Sequence, residues 1–215
     1  MRIAASLESL RGPQQRRPLA FLGGVCGDGQ KIAALETFLA SGEPPIYIGF
    51  GSMASRNPTQ TAELILESLK QTKTRAILQS GWGGLQADSL PDHVLSVESV
   101  PHSWLFDRVA GVVHHGGAGT TAAGLQAGVP SLVIPFFGDQ GFWGECVAQA
   151  GVGPSPIPRK VLTAERLAQG IQTMISNAEM RTRAAELGKR IRAEDGVGNA
   201  VKIINQLEYP YTAKR

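Results

Sequence analysis

Two histidines stand directly before two glycines in the segment His114-His115-Gly116-Gly117-Ala118-Gly119-Thr120-Thr121. The segment joins an apolar run, Gly111-Val112-Val113, to a helix-like run from Thr120 to Ala127. A strand feeding a helix through glycines leaves several backbone N–H groups facing outward at the positive end of the helix. Such an end is a seat for a phosphate. A second segment, Phe136-Phe137-Gly138-Asp139-Gln140, closes another apolar run with an acid and an amide, the two groups that best bind hydroxyls. In a parallel sheet both turns open on one edge, at the carboxyl ends of the strands. A diphosphate on one turn and a polyhydroxyl group on the other describe a nucleotide-sugar.

Rival chemistries fit less well. The spacing Gly117-x-Gly119-x-x-Ala122, with Asp139 about 20 residues on, satisfies the relaxed dinucleotide fingerprint. That fingerprint usually opens the first strand–helix unit, whereas here two or three such units precede it. Hydride chemistry also gives no reason for two histidines before the glycines. Asp139 followed by Gln140 suits several hydroxyls better than one ribose. An NAD-binding protein is therefore the minor competitor. No glycine loop ends in Lys followed by Ser or Thr, so a Walker-type loop is excluded. There is no Asp-x-Asp pair to hold a divalent ion under a diphosphate. Charge neutralisation then falls to the helix terminus, hydroxyls and an imidazole, and the expected transfer uses neither metal nor cofactor. Adjacent residues on a strand point to opposite faces, so His114 and His115 are not expected to share a metal.

The elements that must position these turns follow from the apolar runs. Strands are expected over 46–50, 75–79, 94–97, 111–114 and 131–136, with helical segments between them. Pro58 begins a helix reaching about Lys70, since proline suits a first helical position. Strand–helix alternation implies an α/β fold, a Rossmann-like doubly wound parallel sheet covered on both faces. After Gly151 the pattern changes. Pro154, Pro156 and Pro158 make an extended crossing segment, and Thr163 caps a helix to about Ser176. Helices over about 179–194 and 199–207 complete the C-terminal part. The expected organisation is a lead-in with one short helix over 1–44, a nucleotide-sugar-binding domain over 45–208 and a tail over 209–215.

Composition limits the partners. Hydrophobic residues at 42% and charged residues at 18% describe a globular chain of 215 residues, long enough for one sizeable core. The net charge is only +3, with no basic stripe interleaved with aromatics, so nucleic acid is not an expected partner. Cys26 and Cys146 lie far apart and read as free thiols of a reducing, cytoplasmic setting. No run approaches the roughly 20 apolar residues that span a bilayer. Membrane contact is expected only peripherally, through an acceptor or a partner.

The motifs taken together resemble the C-terminal, donor-binding half of GT-B glycosyltransferases of the UDP-dependent family 1 type. The likeness is closest to sterol 3-beta-glucosyltransferases and their bacterial relatives, including antibiotic glycosyltransferases. It rests on Ile46-Tyr47-Ile48-Gly49-Phe50-Gly51-Ser52-Met53, Gly81-Trp82-Gly83-Gly84, Val100-Pro101-His102-Ser103-Trp104-Leu105-Phe106, His114 through Leu125, and Val133 through Glu145, in the family's order. The resemblance implies a diphosphate held by Ser52, His114, Gly117, Ala118, Gly119 and Thr120. It places uracil and ribose near Trp82, Val100, His102 and Glu145, and the sugar, glucose by resemblance, on Asp139 and Gln140. The related plant signature has a ribose-binding glutamate where this chain has Ala122, and proline is more usual than Gly141 in the sterol type. Plainer readings stand beside these roles. Asp139 can cap the helix that follows, His115 can be a turn residue, and Trp82, Trp104 and Trp143 can be packing residues. His93 and the C-terminal arginines are read as surface.

In such enzymes an N-terminal half binds the acceptor and supplies the base that deprotonates its hydroxyl. About 40 residues precede the first matched strand, too few for that half. The catalytic base is therefore unknown and expected elsewhere. Three readings follow: the donor domain of an inverting glycosyltransferase acting on a sterol-like or other hydrophobic alcohol, the donor subunit of a split two-subunit enzyme, or a non-catalytic nucleotide-sugar-binding module.

Overall fold

The computed structural model describes residues 29–51, 58–79 and 90–206. Ser52 and the Gly81-Trp82-Gly83-Gly84 loop, assigned above to phosphate and base, lie outside the described residues. The described elements are helix α1 (Gly29–Ala40), strand β1 (Ile46–Gly49), α2 (Pro58–Thr72), β2 (Ala76–Gln79), β3 (Val94–Val97), the short α3 (His102–Leu105) running into a 3-10 turn (Phe106–Arg108), β4 (Gly111–His114), α4 (Ala118–Ala127), β5 (Ser131–Val133), α5 (Gln140–Gln149), α6 (Ala164–Ser176), α7 (Ala178–Ala193) and α8 (Gly196–Gln206).

All four strand pairings are parallel, in the order β3-β2-β1-β4-β5. Alternation along the strands divides the core into two layers. Ile46, Ile48, Ala76, Leu78, Val113 and Leu132 face α2 and α6, where Ile65, Leu69, Leu167, Ile171 and Met174 meet them. Tyr47, Ile77 and Val112 face the opposite way, onto Ile32 and Leu35 of α1 and Trp104, Leu105 and Phe106. Helices thus cover both faces of one sheet, which makes it doubly wound. Helix α1, which the sequence places in the lead-in, packs as part of this second layer.

Several element ends have visible causes. Thr163 caps α6 by accepting the Arg166 N–H at 3.3 Å, as its residue type implies. Asn177 does the same for α7 through Met180 N–H at 3.0 Å. Gly128 closes α4 in the left-handed region at φ 77°, and its N–H reaches back to Gly124 and Leu125 carbonyls. Helix α4 itself begins two residues earlier than the sequence suggests, at Ala118. Strand β5 is shorter than the expected 131–136 run, because Pro135 carries no N–H to continue the ladder. The crossing segment then shields the β5 edge. Ile157 and Arg159 donate to the carbonyls of Val133 and Pro135, while Pro154, Pro156 and Pro158 alternate with them. Prolines at every second position leave the intervening N–H groups to pair the edge.

Candidate functional site

The strand order reverses between β1 and β4, and the register there places Gly49 beside His114 and His114 beside Val133. The carboxyl ends of β1, β4 and β5 are therefore level. A doubly wound sheet offers its ligand crevice at such a switch point, outside the carboxyl ends of the strands. The segments Gly49-Phe50-Gly51, His114-His115-Gly116-Gly117 and the turn before α5 all emerge there.

His114 is fully buried. Its Nδ1 accepts the backbone N–H of Gly116 at 3.0 Å, so the proton of the neutral ring sits on Nε2. Burial, with lesser contributions from His115 and His102, holds its pKa down to about 3. Nε2 is enclosed and has no hydrogen-bond partner among the described residues. A buried, unpaired N–H costs on the order of 1–3 kcal/mol and calls for an explanation. His115 is half-buried, and its enclosed Nδ1 is likewise unpaired among the described residues. Its ring fills the space between Gly51 and Gly117: a Cβ built on Gly117 would lie 2.5 Å from its Nε2. Burial lowers its pKa as well.

Helix α4 starts at this edge with its N-terminus open. Gly117 occupies the cap position and contributes no side chain, and the first intrahelical bond is from Thr121 N–H to Gly117 carbonyl at 2.9 Å. The N–H groups of Ala118, Gly119 and Thr120 precede any carbonyl they could reach within the helix. Ala118 and Gly119 are exposed and Thr120 half-exposed. A Cβ on Gly119 would meet nothing within 4 Å. Packing does not demand that glycine, whereas close approach of a ligand would. The Thr121 hydroxyl is turned back onto the Gly117 carbonyl at 3.0 Å, which leaves Thr120 as the hydroxyl nearer the open end. Gly116 is the structural glycine of the turn, at φ 90° with room for no side chain against Val133 and Gln140.

The second turn is built around Gln140, which is buried. Its Oε1 accepts the N–H groups of Phe136 and Phe137 at 2.7 and 3.2 Å and ties the turn to the first residue of α5. Any hydrogen bond Gln140 offers a ligand must come from its amide NH2. Asp139 is exposed at the cap position of α5 but makes no capping bond. Its Oδ2 instead accepts the indole N–H of Trp143 at 2.9 Å. The four-residue spacing that joins these two is readable in the sequence, yet the reading of Trp143 as packing overlooked it. Glu145 is exposed on α5, about 120° around the helix from Asp139, so those two acids do not converge.

At the far side of the switch point, Val100 and Trp104 commit their side chains to the core, so a ligand could meet Val100 only through its backbone. His102 stacks on Phe106 with ring centres 4.5 Å apart. Its Nε2 lies 3.4 Å from the Tyr47 hydroxyl, which also contacts Gln79 Oε1. Tyr47 and Gln79 are support for this histidine that the sequence reading did not find. Burial and His115 both lower the pKa of His102. Burial raises that of Tyr47. His93, read above as surface, is half-buried with its Nε2 enclosed, and it stands at the opposite, amino end of β3, away from this edge.

Residues 51–207 match the family described as the erythromycin biosynthesis protein CIII-like, C-terminal domain. The chain belongs to this glycosyltransferase family. It is 47% identical over 196 residues to the sterol 3-beta-glucosyltransferase UGT80B1 of Arabidopsis thaliana, covering 88% of this chain and 32% of that protein. It is 40% identical over 183 residues to the sterol 3-beta-glucosyltransferase of Emericella nidulans, covering 81% of this chain and 13% of that one. The chain thus spans about a third or less of these relatives. Among solved structures it resembles the glycotransferase of kitacinnamycin, with a TM-score of 0.65, 23% identity and coverage of 77% of this chain and 43% of that one. SnogD from Streptomyces nogalater gives a TM-score of 0.62 at 24% identity, with 77% and 45% covered. These neighbours are GT-B glycosyltransferases, and the family's sheet and helices here are the C-terminal half of that fold. Among the described residues, no helix is long and apolar enough to cross a membrane.

Proposed function

We propose that this domain binds a UDP-sugar, with UDP-glucose the first candidate, and serves as the donor side of an inverting glycosyl transfer. One observation carries the reading. A neutral, fully buried imidazole, its Nε2–H unpaired among the described residues, stands beside an open helix N-terminus at the switch point of the sheet. A diphosphate supplies acceptors for both.

In the transfer, the acceptor hydroxyl attacks the anomeric carbon as the bond to the diphosphate breaks, and negative charge grows on the departing UDP. The N–H groups of Ala118, Gly119 and Thr120, the Thr120 hydroxyl and His114 Nε2–H are the donors set to meet that charge. Such groups stabilise most when fixed before the reaction and shielded from water. His114 is neutral in this role and donates a hydrogen bond rather than a full charge. Asp139 and Gln140 divide the sugar between an acceptor and a donor, and His102 and the Val100 backbone line the base side. This donor set includes no acidic pair for a divalent ion, and the proposed reaction needs neither metal nor cofactor. The relatives named for sterol glucosylation suggest a sterol-like or other hydrophobic alcohol as acceptor, held with its base by a further domain or subunit.

Calorimetric titration of this chain with UDP, UDP-glucose, UDP-N-acetylglucosamine and NAD, without added metal, tests the reading. Binding of UDP and one UDP-sugar is expected. Binding of NAD alone, or of none of the four, would overturn it.

A further inference from the structure

We infer that Trp143 is a positioning residue for the sugar-binding carboxylate, an inference that rests on the UDP-sugar reading above. Asp139 is exposed on a turn whose neighbour Gly138 has φ 65°, and its side chain makes no capping bond to hold it. A carboxylate so placed rotates freely in water unless something fixes it. The indole N–H of Trp143 does so, at 2.9 Å from Oδ2. The Trp143 backbone N–H also donates to the Asp139 carbonyl at 3.2 Å, so the helix turn and the side-chain bond set the same geometry. From the other side, Gln140 Oε1 ties down Phe136 and Phe137, and with them the turn that carries Asp139.

The division of labour follows from atom counts. Indole has one donor and no acceptor, so it occupies Oδ2 without competing for the ligand's hydroxyl protons. Oδ1 remains to accept from the sugar. A group held in its binding geometry before the ligand arrives loses less freedom on binding. The contribution of Trp143 should therefore appear only for ligands that carry the sugar.

The test compares the parent chain, Trp143→Phe, Asp139→Ala and the double variant, titrated with UDP and with UDP-glucose, with thermal melts as a check on folding. Phenylalanine keeps the ring and deletes the donor. Trp143→Phe is expected to leave UDP affinity within about twofold and to weaken UDP-glucose roughly 3- to 10-fold, the range of an ordinary net hydrogen bond. Added to Asp139→Ala it should cause no further loss. The inference falls if Trp143→Phe weakens both ligands equally, weakens neither, or adds its full loss to Asp139→Ala. If Asp139→Ala itself leaves the preference between UDP-glucose and UDP unchanged, the sugar-site reading fails and this inference with it. Failure of the Trp143 arm alone leaves that reading standing.

Discussion

His114 Nδ1 accepts the backbone N–H of Gly116, two residues further on, at 3.0 Å. The bond spans only the His115 backbone, and Gly116 at φ 90° then redirects the chain toward α4. The bond also decides which ring nitrogen carries the proton, and so which one can donate.

Removing the donor should weaken the nucleotide. His114→Ala is expected to lower UDP affinity by roughly tenfold or more, as for a hydrogen bond to a charged group. Titration with UDP measures it. Affinity equal to the parent's would remove His114 from the site.

The buried imidazole also ties stability to pH. Burial holds the His114 pKa at about 3, below the unfolded value of 6.5. Between those values the unfolded chain binds the extra proton, so stability is fully present above about pH 6.5 and declines as pH falls. The slope from one such group approaches ~1.4 kcal/mol per pH unit. His102 and His115, also lowered, act in the same direction. Urea unfolding between pH 7.5 and 5 should show the decline, and His114→Ala should make it shallower. An unchanged slope in that variant would mean the ring titrates normally.

Gly116 of the turn and Gly119 of the first turn of α4 should behave oppositely. In Gly116→Ala the new methyl group would lie 2.6 Å from Val133 Cγ1 and 2.8 Å from the Gln140 carbonyl, at a positive φ. Strain and overpacking together should cost roughly 2–4 kcal/mol. Gly119→Ala meets nothing within 4 Å and gains helix propensity, so stability should hold or rise by up to about 1 kcal/mol. If a phosphate approaches that N-terminus, the same methyl group should weaken UDP. Melting temperatures and UDP titration of both variants decide the matter.

Gly141→Ala should stabilise. A Cβ there meets no atom within 4 Å, and the residue lies in the first turn of α5. A gain of about 0.5–1 kcal/mol is expected from reduced chain entropy. A loss in chemical unfolding would show that the start of α5 needs the glycine's freedom.

Much of this arrangement was legible in the chain. Short apolar runs marked all five strands, and alternation with helical segments implied the parallel sheet. Thr163 and Pro58 marked helix starts through the local chemistry of caps and first turns. The misjudged contacts have another origin. Trp143 was assigned to packing because an indole in an apolar run usually packs. Nothing in the sequence shows that the Gln140 side-chain oxygen folds back onto the N–H groups of Phe136 and Phe137. Tyr47 and Gln79 lie 32 residues apart and meet only because β1 and β2 are neighbours.

Which segments become strands and helices, and where several of them stop, depend on neighbours along the chain and so can be read from it alone. Tertiary structure decided the strand order, the level register of Gly49, His114 and Val133, and the burial that keeps His114 neutral, its Nε2 unpaired among the described residues. It also brought His102 close to the His114-His115 pair, so that His115 lowers the proton affinity of His102, and His115 and His102 together lower that of His114. These properties depend on atoms distant in sequence and on the exclusion of water, which no local pattern of residues encodes.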